Sequence, residues 1–216
     1  MRELRQLKSC HANLVSDVRH ASSFVPAGFS LIELLITLAV ILILTTMYWS
    51  NTANPERGKN ACAQNLRKMH LVMEIYAKDN SDKFPVLTGA RTAEEPLDRL
   101  VPHYTSDTSI FICPASRDSS LPSGESIRNR RISYAYYMGR RPGGEQEVLM
   151  SDRQVDTQPK EAGQFVFSQT GKPPGNNHRK NGGNFLFGDG HVDPSGFRAP
   201  FSLVLTQGVV LLNPKP

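Results

Sequence analysis

Gly28-Phe29-Ser30-Leu31-Ile32-Glu33-Leu34-Leu35-Ile36-Thr37-Leu38-Ala39-Val40-Ile41-Leu42-Ile43-Leu44-Thr45-Thr46-Met47-Tyr48-Trp49 is the stretch on which the reading of this chain turns. From Phe29 to Trp49 its one ionisable side chain is Glu33. A helix rises about 1.5 Å per residue, so this run is long enough to cross a hydrocarbon core of about 30 Å. Its apolar residues surround the helix instead of keeping to one stripe, so every face wants a non-aqueous neighbour. Tyr48 and Trp49 close the run with rings that favour a membrane–water boundary.

An ordinary secretory signal has a core of about 7–15 apolar residues followed by a small-residue cleavage site. Here the run is longer, and the small pair Ala27-Gly28 stands in front of it. Residues 1–28 are short and polar, with Arg2, Arg5, Lys8 and Arg19 against Glu3 and Asp17. Basic residues beside a spanning segment stay cytoplasmic, which places the following domain outside the inner membrane; Arg57 and Lys59 beyond the span pull weakly the other way.

The order polar leader, Gly28-Phe29-Ser30-Leu31-Ile32-Glu33, apolar helix resembles the processing and methylation signature of type IV prepilins and type II secretion pseudopilins. The resemblance implies cleavage after Gly28 by a membrane-embedded prepilin peptidase and N-methylation of Phe29. It implies that Glu33 takes part in assembly, pairing with the terminal amine of Phe29 on a neighbouring subunit. The partners implied are the peptidase, other pilin or pseudopilin subunits and, indirectly, an inner-membrane platform protein and an assembly ATPase. The competing reading of the segment is a plain signal anchor, and of Glu33 a carboxylate that snorkels to the near interface from one turn inside.

Of the formal charge of +5, the first 28 residues contribute +2, and the +3 that remains is too evenly mixed with acids to argue for nucleic acid. With 39% hydrophobic and 21% charged residues, 216 residues allow one modest folded domain beyond the anchor. The expected division is a leader at 1–28, a transmembrane helix at 29–51 and an extracytoplasmic domain at 52–216. Cys10 leaves with the leader. Cys62 and Cys113 remain as an even pair in a compartment where disulfides persist, and the alternative is two buried free thiols.

Asn54-Pro55-Glu56 is a helix-start signal. From there Cys62, Leu66, Met69, Met73 and Tyr76 recur at spacings of three and four, one apolar stripe opposite Gln64, Arg67, Lys68, Glu74 and Lys78. Pilin-like proteins continue the membrane helix into such a half. Many bend it at a proline where Ser50 stands here, so Pro55 moves the expected kink or break into 50–58. Turn formers at Asp79–Pro85 end the helix, and a second short helix is expected around Glu94–Leu100. Short β-like runs follow at Ile110–Cys113, Ile132–Tyr137, Glu147–Met150, Gln164–Ser168 and Asn184–Phe187. Asp189-Gly190 suits a tight hairpin, and Phe201–Leu212 reads as a final hairpin or an edge strand. The fold class expected is α+β and pilin-like: a long N-terminal helix on a small, mainly antiparallel sheet.

Three groups are candidates for chemistry. His178, Asp189, His191 and Asp193 cluster late, but a zinc hydrolase needs a third well-placed ligand and an open position, neither of which the sequence displays. The stretch His178–Gly190 also resembles the signature of a prepilin subfamily in which nine residues separate a His from Asp-Gly. Here ten do, so Asp189, Gly190 and His191 fit that motif better than His178. Asp152, Asp156, Asp189 and Asp193 are oxygen-bearing calcium candidates, with turn and capping roles as the alternative. Arg128–Arg131 and Arg140-Arg141 read as solvated loop charges. The function expected is therefore a structural subunit and no enzyme, with no cofactor unless calcium. The alternative is a membrane-tethered binding or metal-dependent hydrolytic domain that uses the signal for sorting alone.

Overall fold

The computed structural model of the protein describes residues 30–52 and 55–216. The chain divides into two units, 1–49 and 50–216. Helix α1 spans Leu31–Thr52, most of it in the first unit, with Glu33 in its first turn, where a carboxylate complements the helix dipole. Its large apolar side chains, from Leu31 through Met47, are all exposed, and they lie on every face. The hydroxyls of Thr37, Thr45 and Thr46 donate to the carbonyls three residues back, at 2.8–2.9 Å, so the polar side chains among them are satisfied inside the helix. Among the described residues no helix is long and apolar enough to cross a membrane. The described side chains of α1 stop at Met47, so the crossing expected for 29–51 lies partly outside the described residues. Residues 53 and 54 lie outside them too, and with them the cap expected at Asn54 and the centre of the expected bend.

In the second unit α2 runs from Pro55 to Asp79. The stripe Cys62, Leu66, Met69, Met73 and Tyr76 is buried, while Gln64, Arg67, Lys68 and Lys78 on the far face are exposed. Ser81 and Asp82 adopt positive φ after the last turn, a conformation that ends a helix. The short helix expected near 94–100 forms as α3 at Glu94–Leu97, continued by a 3-10 turn at Asp98–Leu100.

Five strands build one sheet: β1 Tyr134–Met138, β2 Val148–Asp152, β3 Gly183–Phe187, β4 Val192–Ser195 and β5 Val210–Leu212. Their order is β4-β3-β2-β1-β5, with every neighbour antiparallel. Side chains alternate across a strand, so Tyr134, Tyr136, Met138, Met150 and Leu186 face α2, while Ala135, Tyr137, Phe185, Phe187 and Leu211 face the other way. The second face is covered by Val166, Phe167, Ala199 and Leu203, which lie on irregular chain. The architecture is α+β and pilin-like, an N-terminal helix followed by helix-on-antiparallel-sheet.

Two expected strands are not strands. Ile110–Cys113 falls in and after a 3-10 turn at Thr108–Phe111, because the Asp107 carboxylate accepts from the Ser109 N–H at 3.1 Å and winds the backbone locally. In Gln164–Ser168 the Val166 carbonyl accepts from Val155, the Val166 and Phe167 amides donate to Phe197, Gln164 accepts from Ala199 and Ser168 donates to Gly175, so its hydrogen bonds are divided among several segments and no ladder forms. The end of the chain resolves as an edge strand: Val210–Leu212 pairs with β1. Arg140 is also not a solvated loop charge. It is buried, paired with Glu147 at 2.8 Å and bonded to the Val204 carbonyl at 3.0 Å.

Candidate functional site

Gly28 and Phe29, the expected cleavage and methylation positions, lie outside the described residues. Glu33 is described, exposed at the start of α1. The remaining candidates, Asp156 apart, fall into two places in the second unit.

The first is a closed polar cluster between α2 and the sheet. The last residue of β2, Asp152, is fully buried and holds four donors. Oδ1 accepts from Asn177 Nδ2 at 2.8 Å, and Oδ2 accepts from the Asn184 backbone N–H at 2.8 Å, Asn184 Nδ2 at 3.0 Å and His178 Nε2 at 3.0 Å. A carboxylate partner requires the His178 tautomer with hydrogen on Nε2. Burial of a carboxylate is tolerated when its lone pairs are filled in this way, and here they are. The same nitrogen of His178 lies 3.7 Å from Cys113 Sγ. Cys113 is joined to Cys62 of α2 by a disulfide with the two Cα atoms 5.0 Å apart. Beside the cluster, Lys59 donates from Nζ to the carbonyls of Asn181 and Ser195, at 3.1 and 2.8 Å, and burial lowers its pKa, against the pull of Glu56 and Asp152. Among the described residues, the group of side chains able to surround one metal ion is Cys62, Cys113, Asp152 and His178.

The second place is the β3–β4 turn. Asp189 Oδ1 accepts from the His191 N–H at 3.1 Å and from His191 Nδ1, and the first of these bonds is the main reason its carboxyl titrates below the usual range. Gly190 has φ +92°, the left-handed value that the tight turn needs. A Cβ there would meet His70 Nδ1 of α2 at 2.8 Å, so the turn sits directly on the helix. His70 Nε2 reaches the Gly188 carbonyl at 3.0 Å.

His178 and Asp189 thus belong to different constellations: the His bonds to Asp152, the Asp to His191. Of the calcium candidates, Asp152 lies in the buried cluster. Asp156 is exposed, bonded to Gln158 and Lys160, and Asp193 is exposed with its Oδ2 4.0 Å from His191. A second buried carboxylate, Asp118, binds Arg131 at 2.9 Å, Arg153 at 3.1 Å and the Ser133 hydroxyl at 2.6 Å. Asp118, Arg153 and Asn177 stand in loop-like sequence, Lys59 in a helical stretch and Asn184 at the head of an expected strand, so nothing local marks them as members of a cluster. The one available signal was Asp152 itself, a charge directly after the apolar run Val148-Leu149-Met150.

Residues 26–49 match the model of the prokaryotic N-terminal methylation motif. The segment carries the type IV prepilin and pseudopilin signature, that of a precursor processed by prepilin peptidase. The match does not extend to the His178–His191 stretch. No curated protein and no solved structure shows significant similarity to the chain.

Proposed function

We propose that this chain, a precursor bearing the prepilin signature, is a structural subunit of a pilus-like or secretion-pseudopilus filament and not an enzyme. The observation that carries the reading is the methylation motif at 26–49 leading into a helix whose apolar residues face all sides. Such a helix has two stable surroundings, lipid before assembly and the same helix of other copies after it. The precursor is accordingly held in the inner membrane by residues 29–51 with residues 52–216 on the periplasmic side. Head-to-tail contacts that do not close into a ring then generate a helical fibre. Glu33, one turn inside, pairs with the amine of Phe29 on a neighbour, an attraction that is large only where water is excluded.

The test has two stages. Mass spectrometry of the membrane-bound protein should find a chain that begins at Phe29 and carries one added methyl group; a terminus at Met1 or after Ala39 refutes the processing. Glu33→Gln keeps shape and hydrogen bonding while it deletes the charge, so it should leave insertion intact and reduce filament yield. Filaments of Glu33→Gln in parental amounts would refute the pairing.

A further inference from the structure

We propose that with the Cys62–Cys113 bridge in its thiol form, Cys62, Cys113, His178 and Asp152 form a closed four-ligand Zn²⁺ site that replaces the disulfide as the tie between α2 and the segment after the 3-10 turn, and joins both to the end of β2.

The placement comes from four separate elements. Cys62 is on α2, Cys113 follows the 3-10 turn, Asp152 ends β2, and His178 lies in the segment before β3. One ligand atom from each lies within 4.8 Å of all the others. Bond lengths of about 2.3 Å to sulfur and 2.0–2.1 Å to nitrogen or oxygen, at tetrahedral angles, put sulfur about 3.6 Å from nitrogen and nitrogen about 3.3 Å from oxygen. Cys113 Sγ and His178 Nε2 are 3.7 Å apart, and His178 Nε2 and Asp152 Oδ2 are 3.0 Å apart. The two sulfur atoms must separate to about 3.8 Å, which cleavage of their bond permits, and the nitrogen and oxygen must part by a few tenths of an ångström.

The donor set selects the ion. Two thiolates, an imidazole and a carboxylate suit zinc, whereas calcium takes six to eight oxygens. All four residues are buried, at 0–4% exposure, so no coordination position opens to solvent and the site is structural. The outer ring is in place on the carboxylate side, where Asn177 holds Oδ1 and the Asn184 N–H and side-chain amide hold Oδ2; on the imidazole side His178 Nδ1 is buried without a hydrogen-bond partner, so its proton in the metal form gains none from the surrounding side chains.

Both sulfurs serve in either state, so disulfide and metal exclude one another. A phosphine reductant opens the bridge by taking the oxygen of one water molecule as phosphine oxide. The two electrons it gives up and the two protons of that water convert Cys62 and Cys113 to thiols. Zn²⁺ then displaces both thiol protons and the Nε2 proton of His178 to solvent, the last returning to Nδ1.

The experiment uses the full chain in detergent, oxygen-free, with and without the phosphine, loaded with Zn²⁺ and exchanged into metal-free buffer. Elemental analysis should find one zinc per chain in the thiol form and none in the disulfide form. Co²⁺ in the same preparation should give thiolate charge-transfer and tetrahedral visible bands, a measurement on the parent that needs no variant. His178→Ala should abolish retention, and Asn184→Ala, which leaves all four ligands, should weaken it about 10- to 100-fold. If the metal-free thiol form unfolds, Zn²⁺ should restore its circular dichroism. A thiol form that retains no zinc, folded or not, overturns the proposal. So do cobalt spectra without thiolate bands, which would place the ion elsewhere, for example at the exposed Asp189 and His191.

Discussion

Replacing Asp152 by Asn is the most informative single perturbation of the folded domain, because it changes charge and one donor–acceptor role while it keeps volume. In the parent Oδ2 receives three donors and Oδ1 one. An amide nitrogen at the Oδ2 position would face three donors, so the new side chain must turn that nitrogen toward Asn177. Asn177 Oδ1 is buried and has no hydrogen-bond partner, so Asn177 can flip to accept. Flipping removes its Nδ2 from the Ser133 carbonyl, a 2.6 Å bond. Hydrogen bonds to a charged group contribute about 1.5–3 kcal/mol and neutral ones about 0.5–1.5 kcal/mol. Three bonds to Oδ2 downgraded by about 1 kcal/mol each and one neutral bond lost give a destabilisation of about 3.5–4.5 kcal/mol. With a urea slope of about 2 kcal/mol per molar, the unfolding midpoint should fall by about 2 M. Asp152→Ala, which leaves every donor facing a void, should cost more than Asn does. The assay is urea denaturation at neutral pH of the chain beginning at residue 52, followed by circular dichroism. A loss below about 1 kcal/mol for Asp152→Asn, or an Ala variant more stable than the Asn one, would refute the claim that the carboxylate holds this cluster together.

Reducing the Cys62–Cys113 bridge in metal-free buffer should lower stability by about 4 kcal/mol, from a loop of 51 residues in the chain-entropy model; unfolding midpoints with and without reductant measure it. Gly143 and Gly182 both have positive φ, but a Cβ meets nothing near Gly143 and collides with the Ser195 carbonyl and Gly196 at Gly182. Denaturation of the two alanine variants should therefore show a loss of about 1 kcal/mol at Gly143, from backbone strain, and at least about 2 kcal/mol more at Gly182. Alkaline unfolding should begin above about pH 10: burial pushes the Tyr137 hydroxyl up to about 12, against a hydrogen bond from Gln154, and raises Tyr134 and Tyr136 as well. A raised folded-state pKa gives stability that is whole below the unfolded value and is lost as pH rises through the folded one. Lys59 and Arg153, both lowered by burial, work in the opposite sense, the native state gaining as pH climbs toward their unfolded values, but they are two groups against three. Tyr137→Phe should flatten the decline of the urea midpoint between about pH 10 and 12.

What the amino-acid order determined alone is whatever depends on neighbours within a turn or two. The run from Phe29 to Trp49, the small residues before it and Glu33 inside it announced the processing signal, because a peptidase reads local chain and an apolar run needs no partner to be recognised. The stripe from Cys62 to Tyr76, the helix start at Pro55, the short helix at 94–100 and the Asp189-Gly190 turn were equally open to reading, since 3.6-residue periodicity and turn chemistry are local. Tertiary structure decided the rest. Val166, Phe167, Ala199 and Leu203 cover the second face of the sheet from irregular chain, which carries no periodicity to announce it. Ile110–Cys113 has strand-forming residues, yet Asp107 and the packing of Phe111 wind it into a turn. Asp152, His178, Cys62 and Cys113 are scattered over more than a hundred residues, and only the closure of α2 onto β2 and β3 places a buried carboxylate, an imidazole and two sulfurs within 4.8 Å of one another. Long-range convergence of this kind depends on how the elements pack, and no spacing in the chain encodes it.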